Sequence, residues 1–224
     1  MEGLSALTGY CIDRLHKALL DLRYRDYALA LSPGPACPRC TARFPGGEVM
    51  RYYADHDAAC PSHRLWLGPA YQYRDLRGVR YVDISPVPEV LAAQTRHRRM
   101  IQGPWRISGG FDLAKRLLSN EWPSLSTMTE TLLERLGVSG ERPPLGDPRL
   151  RAAQYPREVR IARLFASPHW LRTSVLDRGA FLAELGVRLH GDAGYVPHGN
   201  SLAHRWLDEQ LASYHNGRRR FHFE

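Results

Sequence analysis

Apolar positions recur at helical spacing through much of this chain. From Cys11 to Leu22 they fall at Cys11, Ile12, Leu15, Ala18, Leu19 and Leu22, with Asp13, Arg14, Lys17 and Asp21 on the opposite side. That pattern predicts an amphipathic helix that buries Cys11 as a core thiol. Ser32-Pro33-Gly34-Pro35 then stops any helix. Phe44-Pro45-Gly46-Gly47 reads as a turn, Glu48 to Tyr53 as a short strand, and Arg74 to Ile84 as a second extended segment. From Pro88 onward the period becomes helical again. Pro88 suits a helix start with Glu89 in its first turn, and the helix over 89–102 ends at Gly103-Pro104. Further helices are predicted over 112–119, 124–136, 157–166, 178–190 and 201–214. The stretch from Gly140 to Pro148 reads as a linker.

These elements predict a mainly α fold carrying a small β-hairpin, with a helix-turn-helix-like helical remainder. Three segments follow: 1–87 with the N-terminal helix and a metal-binding element, 88–140 with a helix-turn-helix-like group, and 149–224 as a C-terminal helical domain with a basic tail. The 224 residues are 43% hydrophobic, enough for a substantial core. No run of eighteen apolar residues is present, so no membrane partner is expected, and Met1-Glu2-Gly3-Leu4-Ser5 does not read as a signal peptide.

The densest chemistry lies in Cys37-Pro38-Arg39-Cys40 and Cys60-Pro61-Ser62-His63, with nineteen residues between the pairs. A tight CxxC turn aims two thiolates at one point, and CxxH does the same with a thiolate and an imidazole. Two such knuckles form a closed tetrahedral set, and Zn²⁺ is the expected cofactor, one ion per chain. His56, four residues before Cys60, is an alternative fourth ligand to His63, although Asp55 and Asp57 beside it read as a solvated turn. With three of the four cysteines in metal spacing, a reducing cytoplasmic setting is expected. No His-X-Glu or Cys-X-Glu partner, HExxH or GxSxG occurs, and His190, His198, His204, His215 and His222 fit no ligand pattern. A structural metal and no enzyme activity are therefore expected.

The net charge of +8 comes almost wholly from arginine, since Lys17 and Lys115 are the only lysines. Residues 1–70 hold 8 basic and 7 acidic side chains, so the excess lies downstream. Arginine favours bidentate phosphate contact, which makes DNA the expected partner. Three groups are candidates for it: Arg96, Arg98 and Arg99 on one predicted helix, Arg157, Arg160 and Arg163 at three-residue spacing on another, and the tail Arg218-Arg219-Arg220. Internal ion pairing of these arginines is the competing reading, and with it the chain would be a protein-interaction adaptor or a transcriptional regulator. Trp66, Trp105, Trp122, Trp170 and Trp206 read as packing anchors.

The stretches 36–42 (Ala-Cys-Pro-Arg-Cys-Thr-Ala) and 60–67 (Cys-Pro-Ser-His-Arg-Leu-Trp-Leu) resemble the zinc region of TniQ-type proteins. Pro88 to Gln94 with the His/Arg cluster behind it, and Tyr155 to Val159 leading to Ala166-Ser167-Pro168-His169-Trp170, are similar to further segments of short stand-alone bacterial members. The resemblance implies zinc-ribbon and helix-turn-helix modules in a non-catalytic target-selection factor. Such a factor binds attachment-site DNA or an RNA-guided complex and recruits a transposition ATPase, near the nucleoid. It also implies Cys37, Cys40, Cys60 and His63 as zinc ligands. The chain lacks the further cysteine knuckle of longer members and has a shorter N-terminal part, which implies one metal and leaves transposition itself in question.

Overall fold

The computed structural model describes residues 32–46, 49–68, 81–102, 110–120, 126–140, 143–144, 146–190 and 201–220. The helix expected over 11–22 with Cys11, as well as Trp105 and Trp122, lies outside them.

Five short strands open the described chain: β1 Ser32–Pro35, β2 Met50–Tyr53, β3 Ala59–Cys60, β4 Leu65–Trp66 and β5 Val82–Asp83. β1 pairs antiparallel with β2, Pro35 opposite Met50. The other three form an antiparallel sheet in the order β3-β4-β5, with Cys60 opposite Leu65 and Trp66 opposite Val82. The expected strand over 48–53 is therefore present but shorter, and the metal-binding region comprises two small sheets.

Seven α-helices follow among the described residues: α1 Pro88–Gln102, α2 Gly110–Asn120, α3 Thr127–Arg135, α4 Pro148–Ala166, α5 Pro168–Leu176, α6 Arg178–His190 and α7 Leu202–Arg220. The fold is mainly helical with a small antiparallel sheet beside a Cys3His cluster. Helix α1 buries Val90, Ala93, Gln94 and His97, the i, i+3, i+4, i+7 stripe of an amphipathic helix. Ser126 caps α3 by accepting from the Thr129 amide at 3.3 Å. At its other end Gly137 takes φ 76°, while Gly137 N–H donates to Glu134 and Val138 N–H to Leu133, a Schellman stop that favours glycine there.

Helix α4 is the hub. It packs against α1, α2, α3, α5 and α6 and buries Leu150, Tyr155, Val159, Ile161, Leu164 and Phe165. Its start corrects the expected boundary at 157. Asp147 caps it by accepting from the Arg149 amide at 2.8 Å, Pro148 occupies the first turn, and Pro156 lies inside it. A proline removes one intrahelical hydrogen bond, and here the surrounding helices hold the segment together. Helix α5 was not expected at all, and the backbone of α7 runs on through Arg220, beyond the predicted end at 214. One hydrophobic cluster runs from Ala58 through Val90, Leu117, Leu132, Phe165 and Phe181 to Leu207. Trp66 lies within it, and Trp170 and Trp206 pack against it. A smaller cluster of Cys37, Tyr53, Cys60, Leu65 and Leu67 sits around the cysteines. No described helix is long and apolar enough to cross a membrane.

Candidate metal centre and basic groove

The first knuckle follows β1 directly. Ala36 N–H donates to Val49 O at 2.7 Å and the Tyr53 hydroxyl donates to Pro35 O at 2.8 Å, which fixes where the loop leaves the sheet. Thr41 closes the turn, its amide and its hydroxyl each donating to Cys37 O at 3.1 Å. The second knuckle is the turn between β3 and β4. Arg64 completes it at φ 52°, a left-handed conformation rarely taken by residues with a side chain, and its carbonyl accepts from Ile84 N–H at 2.8 Å.

These turns bring the donor atoms of Cys37, Cys40, Cys60 and His63 within 4.8 Å of one another. His63 Nδ1 lies 3.5 Å from Cys37 Sγ, 3.2 Å from Cys40 Sγ and 3.6 Å from Cys60 Sγ, and the Cys40 and Cys60 sulfurs are 3.6 Å apart. Tetrahedral zinc with Zn–S of about 2.3 Å and Zn–N of about 2.0 Å requires donor separations of about 3.5–3.8 Å. Three of these distances match that range and the set is compact enough to close on one ion. All three cysteines are free thiols, Cys37 and Cys60 buried and Cys40 exposed. Before any cation is counted, the crowding moves their protons apart. Cys40 is pushed up to about 11, chiefly by its hydrogen bond with Cys60. Cys60 is lowered: burial opposes its thiolate, but the His63 and Ser62 amides and the neighbouring thiols outweigh it. A bound dication inverts such a balance and favours thiolate at every sulfur.

His56 does not belong to this cluster, and its turn is not solvated. The ring is buried, its protonation disfavoured by burial, and it packs edge-on against His97 with centroids 5.9 Å apart. The flanking carboxylates tie the metal unit to the helices. Asp55 accepts from Lys115 Nζ on α2 at 2.9 Å, and Asp57 accepts from Arg98 Nε on α1 at 3.1 Å. Gln94 on α1 adds a two-pronged clasp, accepting from Ala59 N–H at 2.7 Å and donating to Ala59 O at 2.9 Å.

Two of the arginines expected on a phosphate-binding surface are spent inside the protein. Arg98 is half-buried and held by Asp57. Arg157 is 3% exposed and donates to the Leu189 carbonyl; burial lowers its affinity for a proton to a pKa of about 10. It therefore does not share an outer face with Arg160 and Arg163, because three-residue spacing rotates it into the α4–α6 packing. The side chains of Arg218, Arg219 and Arg220 lie outside the described residues.

The other four converge. Arg96 and Arg99 of α1 and Arg163 of α4 line one groove of about 510 Å³ with Met100, Ala166 and Ser167. Arg160 and Arg163 line the adjoining cavity of about 400 Å³, and Arg163 and Ser167 belong to both. All four are exposed, and among the described residues none is paired with a carboxylate. By contrast Arg135, Arg149, Arg178 and Arg188 each sit 2.7 Å from an acidic oxygen. Periodicity marked two separate arginine clusters, and helix packing makes their unpaired members one surface.

No protein-family model, no curated protein and no solved structure matches this chain.

Proposed function

We propose that the chain is a zinc-stapled nucleic-acid-binding protein of the TniQ-like type, a non-catalytic factor that holds a target in place and recruits other proteins. The observation that carries the reading is the convergence of Arg96, Arg99, Arg160 and Arg163, none salt-bridged among the described residues, on two adjoining cavities whose one carboxylate, Glu184, is taken by Arg188. Unpaired arginines gathered on one surface favour a polyanionic partner. The ion assigned to the cluster is Zn²⁺, on the strength of three thiols and one imidazole gathered within 4.8 Å of one another. Four protein donors complete its shell, so its role is to hold the two knuckles together. Target selection and the recruitment of transposition machinery rest on the resemblance of the knuckle and helix segments alone.

A second reading, the protein-interaction adaptor, draws on Phe44 and Met50, which are 60% and 58% exposed beside the metal unit. Salt-titrated binding to labelled DNA separates the two. Four arginine–phosphate contacts give a log–log slope of about −3 to −4 for duplex, and the double variant Arg96→Glu, Arg163→Glu abolishes most of the affinity. Absence of binding to duplex or single strand at low salt would sink the nucleic-acid reading in favour of the adaptor.

A further inference from the structure

We infer that the inner end of the groove is a nucleotide pocket, and that the polymer it takes is single-stranded. The inference deepens the nucleic-acid reading and rests on it. The cavity of about 400 Å³ lies among α4, α5 and α6, and its walls combine Arg160, Arg163 and Arg188 with the ring of Trp170. Its size is at the small end of ligand pockets, about 300–1,000 Å³, which suits a single nucleotide.

Trp170 is half-buried: it packs edge-on against Phe181, with centroids 6.4 Å apart, and still lines the cavity. The His169 ring stands 4.9 Å from it at 72° and braces it from another side. A ring held this way is a stacking wall that loses little freedom when a base arrives. Arg188 is equally fixed, donating through Nε to Glu184 at 2.7 Å and through Nη1 to the Arg160 carbonyl at 3.0 Å. A guanidinium carries five N–H donors, so donors remain to point into the cavity. Glu184, neutralised by Arg188, supplies an acceptor suited to a base amino group. Arg160 and Arg163 are left for phosphate.

A duplex buries its base faces in the stack and offers only groove edges and phosphates, so it cannot use the Trp170 wall. An unpaired strand can turn one base onto that wall while its adjoining phosphates follow Arg163, Arg99 and Arg96 along the outer groove. The shared Arg163 lies where phosphate and base would part company.

The test compares a labelled single-stranded 15-mer of mixed sequence with the same sequence as duplex, at low and moderate salt, against the full chain. The expected result is tighter binding of the single strand by about tenfold or more. Trp170→Leu should weaken single-strand binding by about 5- to 100-fold and leave duplex binding within about twofold. Trp170→Phe, which keeps a ring, should retain most single-strand affinity, whereas Arg163→Ala should weaken both probes. If Trp170→Leu fails to fold, the strand preference and the Phe variant decide. Equal or tighter duplex binding, or an unchanged single-strand affinity in a folded Trp170→Leu, overturns the pocket while leaving the nucleic-acid reading intact. Full displacement by a free nucleoside monophosphate at micromolar concentration marks a small-molecule site and also overturns it. Loss of binding to both probes in the unmodified chain overturns the pocket and the underlying reading together.

Discussion

At the scale of single residues, His97 shows how strongly the surroundings override an intrinsic property. Its ring is 1% exposed, stacks on Phe111 with centroids 4.1 Å apart, and meets the Tyr155 hydroxyl at 2.9 Å through Nδ1. Burial, aided by His56 and Lys115, drives its pKa down to about 3. An unfolded histidine takes up its proton near 6.5. The unfolded state therefore binds more protons between about pH 6.5 and 3, and stability falls as the pH drops through that window while remaining complete above it. His56 acts in the same direction. Denaturant melts of the native chain and of His97→Gln at pH 7, 5.5 and 4.5 check this: the variant should lose distinctly less stability on acidification, and parallel losses would contradict it. Gln94 offers a second residue-scale test. Gln94→Leu strands both buried polar groups of Ala59 and should cost about 2–4 kcal/mol, read as a lowered urea midpoint at unchanged slope; a shift below about 0.5 kcal/mol would refute the clasp. The clustering of Cys37, Cys40, Cys60 and His63 was legible in the sequence because knuckle spacing is local. The fates of Arg98 and Arg157 were not, because Asp57 lies 41 positions away and Leu189 lies 32. Nor was the burial of His56, whose acidic neighbours are neutralised by Lys115 and Arg98 from other elements.

At the scale of elements, the decisive turn is the one joining β3 to β4, because it places Cys60 and His63 together. Its last residue, Arg64, holds φ 52°. A β-branched side chain tolerates that conformation badly, at a cost of at least about 1–2 kcal/mol, and the cost falls on the ligand geometry. Arg64→Val should therefore weaken zinc retention in chelator competition by about tenfold, while Arg64→Gly should match the native chain. Equal retention by the Val variant would show that the knuckle does not depend on this turn. Helix positions from 88 to 190 were readable wherever an apolar stripe met a clear start, as at Pro88 and after Asp177, which accepts from the Ala180 amide. Two boundaries lie at prolines. The helix expected from 157 begins at Asp147-Pro148, and a capping aspartate followed by proline was the signal to use. Pro168 likewise opens α5, with Ser167 between two helices. The strand partners of the metal unit were hidden because pairing of β1 with β2 and of β4 with β5 depends on distant register, not on local pattern.

At the scale of the whole molecule, one core joins the segments that composition separated, since α4 packs on α1, α2 and α3 before it and on α5 and α6 after it. This packing turns two arginine rows into one groove, which no single stretch of sequence displays. The metal unit meets the same body through Asp55, Asp57 and Gln94. Its own hydrophobic cluster is small, comprising Cys37, Tyr53, Cys60, Leu65 and Leu67 with Tyr81 beside it. Among the described residues so few apolar groups hold two short sheets together weakly, and an ion held by the Cys3His cluster would cross-link them. The most direct measurement is native mass spectrometry of the purified chain before and after dialysis against a strong chelator, with a thermal melt of each sample. The account predicts one zinc per chain, its loss on chelation, a melting temperature lowered by several degrees or more, and recovery on adding one equivalent of Zn²⁺. A chain that carries no metal and melts identically with and without it would contradict the account.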